Sequence, residues 1–293
     1  MQWTVWNSAL CAEPPGFAFE RPLSAPFKLF SGRKPALGRR GDHTFADPFL
    51  LARGGALYLF CEVQADAEPG RIEAWRTTDL NAFDHLGVVL REPHHLSYPF
   101  VLEQEGEVWL LPESQAAGEV ALYRFADFPR DLRKIRVLLE GDYLDSSLLF
   151  HEGLWYLFTT SPRGLELYCA ADLLAGAFQP HPLNSLTSDP RYSRGGGGVI
   201  RIGGGLYRIA QDCSGDYGRN INVFVVDLLN GTEYRETLLR ENYLANDSAW
   251  NALGGHHLSI AHFAGRDIVA VDGRQEDLLV NRALGRLRDR LNP

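Results

Sequence analysis

The chain has 293 residues, 45% of them hydrophobic, and its 37 acidic against 29 basic side chains leave a net charge of −8. That acidic balance, mixed along the chain, argues against nucleic acid as the main partner, because phosphate binding needs a basic footprint. Aromatics at 11%, 29 glycines and a single methionine favour strands and tight turns over a helical bundle, and no stretch approaches the roughly 18 apolar residues of a membrane span.

The N-terminal stretch MQWTVWNSALCAEPPG has neither a basic start nor a long apolar run, so a secretory leader is not expected and a soluble, cytoplasmic protein is. Residues 2–6 (QWTVW) read as a closing strand for the last unit of the fold, which would remove an exposed edge. Next comes ADPFLLARGGALYLFCE (46–62). A strand-like run from Phe49 to Ala52 meets a turn at Gly54-Gly55, and a second run follows from Leu57 to Cys61. Carboxylates, Asp47 and Glu62, stand at both open ends of this hairpin. The pattern returns as SYPFVLEQEGEVWLLPES (97–114) and LDSSLLFHEGLWYLFTTS (144–161), more weakly as GGVIRIGGGLYRIAQDC (197–213), and again as HHLSIAHFAGRDIVAVDG (256–273). Between the hairpins, RIEAWRTTD (71–79), VALYRFAD (120–127), LELYCAAD (165–172) and INVFVVDLL (221–229) read as outer strands.

The copies align on Gly55, Gly106, Gly153, Gly205 and Gly265. Eight residues earlier stand Asp47, Tyr98, Asp145, Gly197 and His257; seven residues later stand Glu62, Glu113, Thr160, Asp212 and Asp272. A unit of this size holds four short strands, which is one propeller blade. The expected fold is therefore all-β, a five-bladed β-propeller forming one domain over 1–293. Its last stretch, 275–293, places Leu279, Ala283, Leu287 and Leu291 at helical spacing and reads as a short C-terminal helix packed on the propeller. A partner-docking or membrane-surface helix is the alternative there.

Antiparallel pairing sets the first position of each hairpin beside the residue fifteen later, on the same face. If these strands are innermost, the pairs ring the mouth of a central channel, and a β-bulge would shift any of them by one position. One Asp before Pro is an ordinary turn residue; Asp47, Glu62, Glu113, Asp145 and Asp212 at one level suggest a shared pocket. Flat aromatic faces and hydroxyl-binding groups suit a sugar. The candidates are His95, Tyr98, Arg194, Arg208, Gln211, Tyr217, His256 and His257, with Arg71 reaching in from a third strand. The run YSRGGGGVIRIGGG lacks the Lys-Ser/Thr of a phosphate loop, so its glycines are read as letting backbones approach a ligand or a neighbouring blade. Arg194 beside them would suit a substrate carboxylate or phosphate. Cys11, Cys61, Cys169 and Cys213 have no zinc-like spacing, and no cofactor is called for by the residues.

As an ordered ensemble, ADPFLL, YLFCE, GRIEAW, HLSYPFVLE, LLPES, LYRFADFP, HPLNS, YRIAQDCSGDYG and GGHH resemble one group over about residues 20 to 272. That group is the propeller-like N-terminal domain of glucosamine inositolphosphorylceramide transferases, with its stand-alone bacterial relatives. The chain has room for the propeller only, so the resemblance implies a separate glycosyltransferase partner. More distantly the hairpins resemble the five-bladed clan of family 43 glycoside hydrolases. There an Asp opening the first blade is the general base, an Asp opening the third tunes pKa, and a Glu opening the fourth is the general acid. Asp47 and Asp145 match the first two; the fourth blade opens with SRGGGG (193–198) and has no such Glu. The expectation is a carbohydrate or glycoconjugate substrate, cleaved or transferred with Asp47 as base, Glu113 as acid and Asp145 as modulator, Glu62 and Asp212 being second choices. The alternative is a non-catalytic glycan-recognition module beside a glycosyltransferase. Some clan members carry calcium in the channel, in which case His256 or His257 would touch a metal-bound water.

Overall fold

Five two-residue turns organise the chain. At Gly54-Gly55, Glu105-Gly106, Glu152-Gly153, Gly203-Gly204 and Ala264-Gly265 both central residues have positive φ. That is the type I′ hairpin geometry, whose twist matches that of the paired strands, and glycine takes the second place at no steric cost. The computed structural model of the chain describes residues 4–31, 42–65 and 68–276.

Each hairpin starts a sheet. Blade one runs Asp42–Arg53, Ala56–Ala65, Arg71–Thr77 and Asp84–Leu90; blade two runs Ser97–Gln104, Glu107–Glu113, Glu119–Asp127 and Asp131–Glu140. Blade three runs Leu144–His151, Leu154–Ser161, Gly164–Ala170 and the short Gln179–Pro180. In blade four, Arg194–Gly195 and Ile200–Ile202 both pair with Gly205–Asp212, followed by Asn220–Leu229 and Tyr234–Arg240. Blade five takes Leu258–Phe263 and Arg266–Glu276 from the end of the chain and Thr4–Glu13 and Lys28–Ser31 from its start. The N-terminal strand thus closes the ring, pairing along its whole length from Thr4↔Glu276 to Glu13↔Asp267. One parallel bridge, Trp6↔Thr44, also ties it to blade one.

The innermost strands touch in chain order: Asp42–Arg53 against Ser97–Gln104, then Leu144–His151, then Arg194–Gly195. Leu258 N donates to Gly196 O at 2.8 Å, and Leu258–Phe263 packs on Asp42–Arg53, completing the circle. This is a five-bladed β-propeller. Apolar side chains pack mainly between blades: Phe49, Phe60 and Ile72 meet Tyr98, Leu110 and Leu157; Leu10 and Ile268 meet Leu59; Tyr156 and Leu167 meet Leu206 and Val226; Val269 and Ala9 meet Ile221 and Val223.

Two expectations shift. The helix foreseen over 275–293 lies outside the described residues except for Gln275 and Glu276, which extend the strand Arg266–Glu276. The fourth hairpin turns at Gly203-Gly204, one position before the Gly205 that the repeat alignment places there. The 3₁₀ turn Gln115–Ala117 is the one helical element among the described residues, and no helix there is long and apolar enough to cross a membrane.

Candidate functional site

Three inner strands carry the same bulge at the same height. Ala46 pairs with Glu62, but the next pair is Phe49↔Phe60; Ser97↔Glu113 is followed by Phe100↔Leu111, and Leu144↔Thr160 by Ser147↔Phe158. One extra residue on the inner strand opposes the partner each time. Asp47, Tyr98 and Asp145 occupy these bulges with φ of 50°, 44° and 48°. Positive φ is uncommon outside glycine and concentrates where surrounding structure enforces it. The one-residue offset corrects the expected facing pairs: Ala46, not Asp47, is opposite Glu62, and Asp47 is turned out of the ladder.

Asp47 is held from two neighbouring blades. Its Oδ2 accepts from Tyr98 N at 3.1 Å, and its own N–H donates to Asp272 Oδ2 at 3.2 Å. Its Oδ1 lies 3.6 Å from His256 Nδ1 and 3.8 Å from His257 Nδ1. Burial raises the Asp47 carboxyl to about 7, His256 working against that and Asp272 and Asp145 adding to it. Glu62 is held well above the ordinary carboxylate range, by burial first and then by Asp47, Glu113, Asp272 and Asp145. Glu113 is also raised, by burial and by Asp145. Its oxygens accept from Ser97 Oγ at 2.7 Å and Gln115 N at 2.6 Å. Asp145 is ion-paired with Arg194 Nε at 2.6 Å.

Asp272 was absent from the candidate set and is central. It is fully buried, accepts from His256 N at 2.7 Å and His257 N at 3.0 Å, and ion-pairs with His256 Nδ1 at 2.6 Å. Burial would raise its carboxyl, but His256 outweighs that and holds it low; in return Asp272 overcomes the burial that would depress His256. The signal was present in the sequence: Asp272 stands at the same repeat position as Glu62 and Glu113. His256 is stacked on Trp6 at 4.1 Å and meets the edge of Tyr217 at 5.2 Å, and Arg194 sits over the Tyr217 ring. His257 is wholly buried and pushed down to about 3 by desolvation.

The remaining candidates divide. His95 borders the acids, with Nε2 3.5 Å from Glu62 Oε1. Gln211 lies opposite Arg194 and its amide contacts Gly195 O at 3.4 Å. Tyr98 is wholly buried, its hydroxyl accepting from Gly197 N at 2.9 Å, so it braces Asp47 and does not face solvent. Three candidates are committed elsewhere. Arg208 is locked to Glu236 by two contacts of 2.6 Å and donates to Tyr192 O. Asp212 accepts from Ser214 N and Oγ at 2.8 and 2.6 Å; the corrected turn puts Gln211, not Asp212, at the repeat position of Glu62 and Glu113, where it is buried with its amide bonded to Gly195 O and Cys213 Sγ. Arg71 pairs with Glu73 at 2.6 Å.

The glycine run answers to packing. A Cβ on Gly196 would lie 2.9 Å from His256 O, and one on Gly197, at φ +144°, would lie 2.1 Å from Leu258 O. Blade four reaches its neighbours by bare backbone where the hydrolase pattern has a Glu. For a cation, the best-placed donors among the described residues are Asp47, His256 and Asp272, with ligand atoms within 4.8 Å of one another. Calcium takes six to eight oxygens, waters among them; Asp47 and Asp272, the latter already closed on His256 at 2.6 Å, would supply only a small part of that shell.

A sequence model of the family "Glucosamine inositolphosphorylceramide transferase 1, N-terminal" matches residues 37–274. The chain belongs to this family. Glucosamine inositolphosphorylceramide transferase 1 of Arabidopsis thaliana is 33% identical over 244 residues, covering 78% of this chain and 32% of that one. Its namesake from Oryza sativa subsp. indica is 33% identical over 251 residues, covering 81% and 34%. This member of the transferase N-terminal family therefore spans about a third of the length of the curated relatives it matches. In fold it is similar to a thermostable family-43 glycoside hydrolase, with a TM-score of 0.60 at 14% identity over 84% of this chain and 92% of that one. An alpha-L-arabinofuranosidase from Clostridium thermocellum ATCC 27405 gives 0.58 at 15% identity over 76% and 80%.

Proposed function

We propose that the protein is carbohydrate-active and binds a sugar or glycoconjugate at the acid-lined mouth of the propeller, where it cleaves or transfers a glycosyl group. The observation that carries this reading is the division among five gathered carboxylates. Asp145 and Asp272 each have a cationic partner at 2.6 Å, while Asp47, Glu62 and Glu113 are held above their ordinary values. Glycoside cleavage needs that division, one group ionised as base or nucleophile and another still carrying its proton. Asp47, turned out of its strand and titrating near neutrality, suits the base; Asp145 with Arg194 suits a group that orients the sugar and tunes its neighbours. Tyr217 and His95, both partly exposed beside the acids, supply an aromatic face and a polar group for hydroxyls. The relatives' names and the hydrolase neighbours agree with a sugar ligand.

A screen of aryl glycosides and natural oligosaccharides, with Asp47→Asn and Asp145→Asn as controls, tests this. We expect turnover by the native chain and a loss of about 10²–10⁴-fold in kcat in Asp47→Asn. Equal activity in native protein and both variants would remove the assignment. A second reading, a glycan-recognition module working with a separate glycosyltransferase, draws on the bare backbone that replaces the blade-four Glu. Saturable glycan binding with no turnover on any substrate would favour it.

A further inference from the structure

We infer that Glu62, and not Glu113, delivers the proton to the leaving-group oxygen; this rests on the glycosidase reading above. The resemblance to the hydrolases leaves the acid's role empty, since blade four brings no Glu. Two buried glutamates from second strands stand at equivalent positions to fill it, and the structure distinguishes them.

Glu113 is tied on both oxygens, to the Ser97 hydroxyl and the Gln115 amide. Both donors bind the anion more strongly than the protonated acid, and so work against holding a proton there. Glu62 has no such anchors. Its side chain is 10% exposed, and among the described residues none donates it a hydrogen bond. The charges that act on it most strongly are the carboxylates of Asp47, Glu113, Asp272 and Asp145; His95 lies 3.5 Å away, and the Tyr217 phenol also feels its charge. His95 is no cation here. Its Nδ1 accepts from Gly70 N at 3.0 Å, which leaves the proton on Nε2, and Nε2 stops 3.5 Å short of Glu62. Burial, reinforced by His94, also holds His95 below its ordinary value. Burial among carboxylates, with no hydrogen-bond donor among the described residues, favours the neutral acid over the anion. In that form its O–H needs an acceptor, and the mouth of the channel is where a glycosidic oxygen would supply one.

The step balances. The Glu62 proton moves to the glycosidic oxygen as its bond to the anomeric carbon breaks, the electron pair staying on that oxygen. Water bonds to the anomeric carbon and its proton goes to Asp47, leaving a free alcohol and a hemiacetal. An acceptor alcohol in place of water gives transfer by the same route.

The test compares native protein, Glu62→Gln and Glu113→Gln on aryl glycosides whose leaving groups run from dinitrophenol to unsubstituted phenol. A good leaving group departs without a proton; a poor one does not. Glu62→Gln should lose about 10²–10⁴-fold on the phenyl glycoside, far less on the dinitrophenyl one, and should lose the alkaline limb of its pH–rate profile. Glu113→Gln should show the same fold-change on both substrates and keep that limb. If Glu113→Gln shows the leaving-group dependence and Glu62→Gln does not, this proposal falls while the glycosidase reading stands. A native chain that binds glycans and turns over no member of the series overturns both. Should Glu62→Gln misfold, Glu62→Asp replaces it, since the shortened side chain removes the reach and keeps the carboxyl.

Discussion

The Tyr98 amide of blade two donates to the Asp47 carboxylate of blade one at 3.1 Å, and both residues sit in the same left-handed bulge of their own strands. A backbone kink in one sheet thus anchors the candidate base of the next. The Asp47 amide is taken in turn by Asp272 of blade five. The site is a property of the ring more than of any blade.

Asp272 should be the costliest acid to remove. It accepts three backbone N–H bonds and pairs with His256 in full burial. Asp272→Asn keeps the shape but strands His256, and breaking a buried pair costs about 3–5 kcal/mol. Urea unfolding should show that loss. Asp84→Asn, on an exposed pair with Arg76 at 3.7 Å, should stay within about 0.5 kcal/mol of native.

The raised carboxyls make a signed statement about pH. Asp47 titrates near 7 in the folded chain against 3.8 ordinarily. The folded form therefore holds a proton that the unfolded form has lost, and stability falls as pH rises through that window. Asp47→Asn removes the effect. Relative to native, it should gain up to about 4 kcal/mol between roughly pH 4 and pH 8, read from urea midpoints at each pH. Glu62→Gln should gain in the same direction, its carboxyl being held well above the ordinary range. Comparing variant with native at each pH cancels His257, which titrates with the opposite sign. A pH-independent difference would contradict the burial argument.

Arg208→Ala should destabilise without touching ligand binding. The guanidinium is 3% exposed and bound to Glu236, which would be left without its cation and with only the Tyr234 hydroxyl donating to it. About 3–5 kcal/mol is expected from unfolding curves. Glycan affinity, measured by calorimetry on the folded fraction, should be unchanged; a specific loss of affinity would return Arg208 to the site.

Gly197→Ala tests the close approach of blades four and five. Its Cβ would meet Leu258 O at 2.1 Å, and the backbone at φ +144° disfavours any side chain. Moving the two blades apart should cost more than about 2 kcal/mol and loosen the Tyr98–Gly197 bond. A melting temperature equal to native would show that the ring tolerates the separation.

Much of the architecture was legible in the residues, because hairpins are local. A two-residue turn with glycine second, between apolar runs, specifies its own pairing, and five recurrences specify five sheets. The acids Asp47, Glu62 and Glu113 could be placed at one level by counting from those turns. Counting fails where the chain is irregular. The bulges at Asp47, Tyr98 and Asp145 move each by one position, and the glycine triplet at 203–205 hid the true turn and misplaced Asp212. Partnership is decided only in three dimensions. Arg194, Arg208 and Arg71 look alike in sequence, yet one faces Asp145 while the others are spent on Glu236 and Glu73. The protonation of each carboxyl depends on burial and on charges brought from other blades, and those distances exist only once the N-terminal strand has closed the circle.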